Sequence, residues 1–187
     1  IAAFHNKPYN DYIGARQASF GFFESIDDPA VSQRLFEAAF EWATSRSLDV
    51  MLGPRRLRPA DATGALVEGF EHRPAMGVPY NPPYYDALIK AAGFEKESDH
   101  LSGYVPGSHE LDPRFSELAE KVKARHGLWV KTFVSKDEMR QWVPKVAEVY
   151  QGAFGANHGF YPLSDAEIAE FADELITIAD PRLVKLV

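Results

Sequence analysis

The stretch GFFESIDDPAVSQRLFEAAFEWATSRSLDVMLGP, residues 21–54, decides the fold of the first half of the chain. The hydrophobic pattern in and around it predicts a buried strand over Ala18–Glu24, an amphipathic helix over residues 29–47 and a second strand over Asp49–Leu52. A strand, a crossover helix and a second strand form the usual unit of an α/β fold.

The turn between the first strand and the helix is where a ligand is expected. Asp28 is a good N-cap and Pro29 a good first helical residue, so the helix begins where the strand ends. Backbone N–H groups at the start of a helix attract negatively charged groups, and an anionic ligand is therefore predicted at this turn.

A second informative stretch, NPPYYDALIKAAGF, covers residues 81–94. It predicts a short helix ended by Gly93, followed by a strand to about Val105. The intervening residues 54–80 are rich in proline and glycine and are predicted to form a long binding loop.

This order of elements resembles the GNAT superfamily of acyl-CoA N-acyltransferases, in which the helix after the fourth strand holds the cofactor pyrophosphate. The family's phosphate turn, Arg-x-x-Gly-x-Gly or Ala, falls on residues 27–32, with Asp27 at the arginine position. The resemblance implies acetyl-CoA as the acyl donor and a strand amide that polarises its thioester carbonyl. The cofactor-binding residues implied are Phe22, Phe23, Glu24, Ala30, Val31, Ser32 and Asn81.

The family's second motif, Asn-x-x-Ala-x-x-Leu-Tyr-x-x-x-Gly-Phe, resembles residues 81–94 with one extra residue. Asn81 stands at its start, and Ile89 occupies the position of the frequent general acid tyrosine. An acid role then passes to Tyr84 or Tyr85, with packing against the sheet as the alternative for these rings. Glu68, in the long loop, is the candidate base for an amine substrate or else a solvated carboxylate.

The composition of the chain limits which other partners and sites it can have. The 187 residues, 45% of them hydrophobic, are enough to bury a core. A net charge of -7 argues against nucleic acid or a membrane as the main partner. Cysteine is absent, which fits a cytoplasmic protein, and the six histidines show no metal-ligand spacing, so no metal is expected. The basic run Arg55-Arg56-Leu57-Arg58 holds a phosphate or is a solvated turn.

The second half of the chain predicts a helix over Phe115–His126, a strand over Leu128–Val134, and two longer helices. Capping boxes open these last two helices, Ser135 with Glu138 and Ser164 with Glu167. The loop over residues 152–162 between them is either a substrate lid or a plain connection with Phe160 and Tyr161 in the core. A strand is predicted at the end, after Pro181.

Strand, long helix, loop, helix and strand is how a GNAT domain opens, whereas residues 1–107 look like the end of one. The chain therefore resembles the junction of a tandem protein, with residues 108–187 as the first half of a second domain. The predicted fold class is α/β, a GNAT-like mixed central sheet flanked by helices in two partial copies. Unpaired strand edges would allow a homodimer.

The resemblance implies an N-acetyltransferase that moves an acetyl group from acetyl-CoA directly to a small-molecule amine. The alternative is a GNAT-like scaffold that has lost catalysis and binds a ligand or a partner. Asp27 and Ile89 favour the scaffold, whereas Asn81 and the helix N-cap favour the enzyme.

Overall fold

The computed structural model describes residues 1–55, 63–75, 77–157 and 159–187. The chain divides into two compact units, Ile1–Leu101 and Ser102–Val187. The two units together form a mixed α/β chain with small sheets. That each unit is part of a GNAT-like domain stays a prediction.

Unit 1 contains a three-stranded sheet with a helix crossover. Its elements are β1 (Ala2–Phe4), α1 (Lys7–Ile13), β2 (Gln17–Gly21), α2 (Pro29–Thr44), β3 (Val50–Leu52) and α3 (Tyr85–Ala91). The sheet order is β1-β2-β3, with β1 antiparallel and β3 parallel to β2. The predicted strand, helix and second strand of residues 18–52 are confirmed. β2 ends three residues earlier than predicted, because Phe22 has a φ of 49° and leaves the extended conformation.

The core of unit 1 is aromatic. Phe20 on β2 and Phe36 on α2 are fully buried, with ring centroids 5.2 Å apart in an edge-to-face contact. Phe23 stacks on Phe36, and Phe94 contacts both Phe20 and Phe36. On α2, Phe36 and Ala39 are buried, whereas Val31 in the first turn is 39% exposed.

Two glycines allow β2 and β3 to approach closely just beyond their ladder. A Cβ on Gly21 would lie 1.9 Å from the carbonyl oxygen of Arg55, and one on Gly53 would lie 2.5 Å from Phe20. The Arg55 N–H donates to the carbonyl of Phe20 at 2.8 Å. The two strands therefore stay joined up to the point at which Phe22 turns outward.

The strand predicted after Phe94 is wrong. Residues 95–105 form no strand, and all of their side chains are exposed. Glu95 to Asp99 carry mostly charge, so the segment offers little apolar surface to bury against a sheet. The described parts of the predicted binding loop, residues 63–75 and 77–80, contain no helix or strand, as expected.

Unit 2 contains a helical pair and a small ribbon. Its elements are α4 (Pro113–His126), β4 (Lys131–Thr132), α5 (Lys136–Phe154), α6 (Asp165–Ile178), a 3-10 turn (Pro181–Leu183) and β5 (Lys185–Leu186). β4 and β5 pair antiparallel. Phe133, Met139 and Ile176 form the buried core between the ribbon and the α5–α6 pair. The three predicted helices are confirmed, whereas the strand predicted over 128–134 is reduced to two residues.

Local capping explains where α5 and α6 begin. Ser164 and Glu167 form the predicted reciprocal capping box at α6. At α5 only half of the predicted box is present: the Ser135 side chain accepts from the Glu138 N–H, but the Glu138 carboxylate accepts from the Val134 N–H at 2.8 Å instead. Among the described residues, no helix has the length and apolarity needed to cross a bilayer. A cytoplasmic location and a homodimeric state stay predictions.

Candidate functional site

The exit of β2 has an unusual backbone conformation at Phe22, whose φ is positive. The positive φ of Phe22 turns its ring outward, leaving it 61% exposed, while its neighbours Phe20 and Phe23 are buried. A bulky residue in this conformation stores strain, which proteins retain mainly at functional sites. The backbone N–H groups of Phe22, Phe23 and Glu24 donate to no acceptor among the described residues. Three successive N–H donors at this strand end thus have no acceptor in the part of the chain that the structure describes, although Phe23 itself is buried.

Two tyrosine hydroxyls hold the segment that follows. Tyr85 Oη donates to Glu24 Oε2 at 2.9 Å and accepts from the Ser25 N–H at 3.3 Å. Tyr84 Oη donates to the Ser25 carbonyl at 3.0 Å. Both tyrosines lie at the start of α3, so the beginning of that helix is tied to the exit of β2.

The two candidate acids differ in access. Tyr85 is 4% exposed, whereas Tyr84 is half-buried. Burial first, and then the hydrogen bond to Glu24, raise the pKa of Tyr85 above its ordinary value. The phenol therefore stays protonated at neutral pH. Tyr85 is buried, as the alternative role of packing in the core predicts. An acid role for Tyr84 or Tyr85 stays a prediction.

Asn81 lies at a loop contact. Its Oδ1 accepts from the Leu66 N–H at 2.7 Å, and its Nδ2 donates to the carbonyls of Leu66 at 3.3 Å and Pro82 at 2.9 Å. The side-chain amide therefore pairs with Leu66 as a neighbouring strand would. In this conformation Asn81 fixes the long loop, and its predicted contact with a cofactor arm remains a prediction.

Glu68, the predicted base, lies in the same loop and is exposed. It makes no hydrogen bond or ion pair with another described residue. The structure does not bring Glu68 to the tyrosines by any direct contact, and its role stays a prediction.

The N-terminus of α2 offers few free donors. The Asp28 carboxylate accepts from the Ala30 N–H at 2.8 Å, Pro29 has no N–H, and the Ser32 N–H donates to the Asp28 carbonyl at 3.1 Å. Within the predicted phosphate turn, residues 27–32, only Asp27 and Val31 keep a backbone N–H with no acceptor among the described residues. The capping carboxylate also places negative charge where phosphate would bind, which disfavours an anion.

The side chain of Ser32 is not exposed to solvent at this turn. It is 2% exposed, and its hydroxyl donates to the Pro29 carbonyl at 3.1 Å. Ser32 is therefore a small buried residue that lets α2 pack close to the sheet, and replacing it with a bulky residue would disturb the core rather than test a ligand site.

The sequence interpretation missed the carboxylate of Glu24. Only its backbone N–H was assigned a role, yet the structure holds its side chain on the hydroxyl of Tyr85. These two residues are 61 positions apart, and no local pattern links them. Glu24 is exposed, so its carboxylate is accessible from solvent.

Other predicted features lie elsewhere. Arg55 forms an ion pair with Glu97 at 3.5 Å, while Arg56 and Arg58 fall outside the described residues. In unit 2, Phe160 and Tyr161 are buried, which favours the plain connection over a lid. In the part of the chain that the structure describes, no three histidine, aspartate or glutamate side chains are grouped as metal ligands would be.

Unit 1 thus combines a three-stranded mixed sheet with a strand exit that presents amide donors, a carboxylate and phenol hydroxyls. No model of a known protein family matches the chain, and no solved structure matches it.

Two curated proteins are similar in sequence. Protein YghO of Escherichia coli K12 is 27% identical over 168 residues, which cover 89% of this chain and 42% of that protein. A protein named bacterial ceramide synthase from Caulobacter vibrioides is 28% identical over 174 residues, covering 91% of this chain and 44% of that protein. The chain therefore spans less than half the length of either relative.

Proposed function

We propose that this chain forms part of an N-acyltransferase that moves an acyl group from a CoA thioester to an amine. The observation that carries the proposal is the exit of β2, where the N–H groups of residues 22–24 have no acceptor among the described residues and lie beside the Glu24 carboxylate. The similarity to a protein named bacterial ceramide synthase supports it. A ceramide is a fatty amide of an amino alcohol, so that name describes the formation of an amide bond.

Each group has a task in such a reaction. An amide N–H among residues 22–24 donates to the thioester oxygen as negative charge develops on it. Glu24, or Glu68 from the loop, takes the proton that the ammonium form of the substrate must lose. The amine nitrogen then bonds to the carbonyl carbon and the C–S bond breaks. The nitrogen gives up its second proton as the sulfur gains one, so the products are an amide and a thiol.

A proton donor is needed for the leaving sulfur. Tyr84 is the better placed of the two phenols because it is half-buried rather than enclosed. Tyr85 is the better fitted to position Glu24, since its hydroxyl donates directly to that carboxylate. In this proposal Tyr84 therefore donates the proton to the leaving sulfur, and Tyr85 positions Glu24.

The length of the acyl group is part of the proposal. The resemblance implied acetyl-CoA, whereas the named relative favours a longer fatty acyl chain. The exposed ring of Phe22 at the strand exit suits an apolar chain as well as an acetyl methyl.

A second function is favoured by the N-terminus of α2. The Ala30 N–H is occupied by Asp28, the Ser32 N–H is occupied by the Asp28 carbonyl, and Pro29 has no N–H, so the turn is a poor phosphate cradle. A scaffold that keeps the fold and binds a ligand or partner without catalysis accounts for this arrangement.

The two functions are separated by calorimetric binding of acetyl-CoA and octanoyl-CoA to the chain and to its Asp28→Ser variant. The substitution keeps a capping oxygen but removes the charge beside the proposed phosphate position, so binding should tighten about fivefold. Glu41→Gln, at the exposed far end of α2, removes the same charge and should change nothing.

Turnover is then measured with a panel of amines, by thiol release and by mass of the amide. Transfer that is lost in Tyr84→Phe and in Glu24→Gln supports the enzyme. Binding of neither thioester to the native chain or to Asp28→Ser, together with no transfer, would leave the scaffold as the function.

A further inference from the structure

Helix α4 in unit 2 presents an apolar stripe to solvent. Phe115, Leu118 and Val122 recur at i, i+3 and i+7, so they lie on one side of the helix. They are 63%, 57% and 39% exposed, and α4 buries none of its side chains. Because this amphipathic helix buries no residue in its own unit, its apolar face is a candidate surface for binding a partner.

The charges of α4 are ordered around this stripe. At 3.6 residues per turn, Lys121 and Arg125 lie along one border of the stripe and Lys123 along the other. Glu117 and Glu120 lie on the opposite side of the helix. The borders of the apolar face are therefore basic, and the acidic residues point away from it.

The basic side chains are not all neutralised within the chain. Lys123 pairs with Glu120 at 2.6 Å, and the pair is exposed. Lys121 and Arg125 pair with no carboxylate among the described residues. Positive charge is thus left uncompensated along one border of the stripe.

The apolar surface continues beyond the end of the helix. Gly127 ends α4 in the left-handed conformation, and Leu128 and Trp129 follow it at 42% and 61% exposure. Tryptophan concentrates at the boundary between lipid headgroups and acyl chains, because its ring is large and apolar while its N–H can reach water.

We propose that α4, together with Trp129, binds the surface of an anionic lipid membrane. Phe115, Leu118 and Val122 enter the boundary of the acyl chains, and Lys121 and Arg125 lie at the level of the lipid phosphates. An apolar helix face suits the boundary of the acyl chains, and basic residues along its border suit the anionic lipid phosphates.

The charge order disfavours a second copy of the chain as the partner. If two α4 helices packed stripe against stripe, the basic borders of one helix would meet those of the other, and like charges repel. The net charge of -7 argues against membrane binding by the average surface, but it does not describe this face. The proposal departs from the expectation of no membrane partner and does not rest on the proposed acyl transfer.

The test is cosedimentation of the 187-residue chain with vesicles of phosphatidylglycerol and phosphatidylcholine in equal parts, and with phosphatidylcholine alone. Binding should be confined to the anionic vesicles and weaken as salt screens the charges. Trp129 emission should shift to the blue on binding, and the Trp129→Phe variant should lose that shift.

Variants on matched faces make the test specific. Phe115→Ser with Leu118→Ser should weaken binding at least tenfold, since two apolar side chains no longer leave water. Lys121→Gln and Arg125→Gln should each weaken it about fivefold. Glu117→Gln on the opposite side and Lys90→Gln in unit 1 are controls that should bind as the native chain does.

Three results would overturn the proposal. One is no binding to anionic vesicles, and another is binding that the stripe variants leave unchanged. The third is self-association in sedimentation that the Phe115 and Leu118 substitutions abolish, because the stripe would then serve a second copy. Circular dichroism confirms that the variants are folded, as expected for substitutions at exposed positions.

Discussion

Phe22 shows how one residue sets the character of the site. Phe20 and Phe23 bury their rings in the core, whereas the positive φ of Phe22 breaks the pattern and leaves its ring exposed. The run of aromatic residues predicts a buried strand, and nothing in it marks the residue at which the strand ends. That point depends on the close contact of Gly21 with Arg55, which a single stretch of sequence does not reveal.

At the same scale, the hydroxyl of Tyr85 should measurably stabilise unit 1. Tyr85→Phe removes the hydrogen bonds to Glu24 and from Ser25, and should lower the free energy of unfolding by about 1–2 kcal/mol. Tyr84→Phe, which removes one hydrogen bond from a less buried ring, is the matched control and should cost less. Urea titration followed by amide exchange in β2 and α3 measures both.

The raised pKa of Tyr85 adds a dependence on pH to this prediction. A folded-state pKa above the unfolded value of 10.0 stabilises the protein fully below that value, and the contribution is lost as the pH rises through the folded pKa. The native chain should therefore lose stability above pH 10 more steeply than Tyr85→Phe. Equal slopes for the two proteins would contradict the structural role of this hydroxyl.

At the scale of elements, the helices from α2 onward are predicted well, whereas only some of the predicted strands form. Asp28, Ser135 and Ser164 each cap the helix that the sequence predicts, because an N-cap acts within three residues of itself. The strands predicted over 95–105 and 128–134 are absent or shortened, because a strand forms only where another strand supplies its hydrogen bonds.

The capping box of α6 gives a prediction at this scale. Ser164→Ala should destabilise the helix by about 1 kcal/mol, since it removes the oxygen that accepts from the Glu167 N–H. Hydrogen exchange in the first turn of α6 measures the effect. Ser116→Ala, inside α4 and away from any cap, serves as the control and should leave α6 unchanged.

The pKa of the Glu167 carboxyl group depends on the same capping box. The Ser164 hydroxyl, and next its N–H, lower the pKa of Glu167, so this contribution to stability is present above the unfolded pKa and is lost as the pH falls through the folded one. In Ser164→Ala the pKa should rise toward its ordinary value. An NMR titration that finds the same pKa in both proteins would refute the assignment.

At the scale of the whole molecule, an exposed segment joins the two units. Residues 95–111 have no helix or strand and are exposed throughout, with Leu101 98% exposed. Chymotrypsin should therefore cut first after Leu101 or Tyr104 and release fragments close to units 1 and 2. Mass spectrometry identifies the cuts.

A variant makes the proteolysis result specific. Ser102→Pro should block the cut after Leu101 without affecting the cut after Tyr104, because proline after the cleaved residue prevents chymotrypsin from acting. First cuts within α2 or α5 would contradict the division into two compact units.

The sequence by itself determined helices α2 to α6, the N-cap residues of α2, α5 and α6, and the loop over the described residues 63–75 and 77–80. These features depend on residues close together in the chain, so local chemistry specifies them. Only the tertiary structure decided where β2 ends, that Asn81 holds Leu66, and that Tyr85 holds Glu24. Such contacts join residues 15 to 61 positions apart, and packing of the whole unit, rather than any local pattern, brings them together.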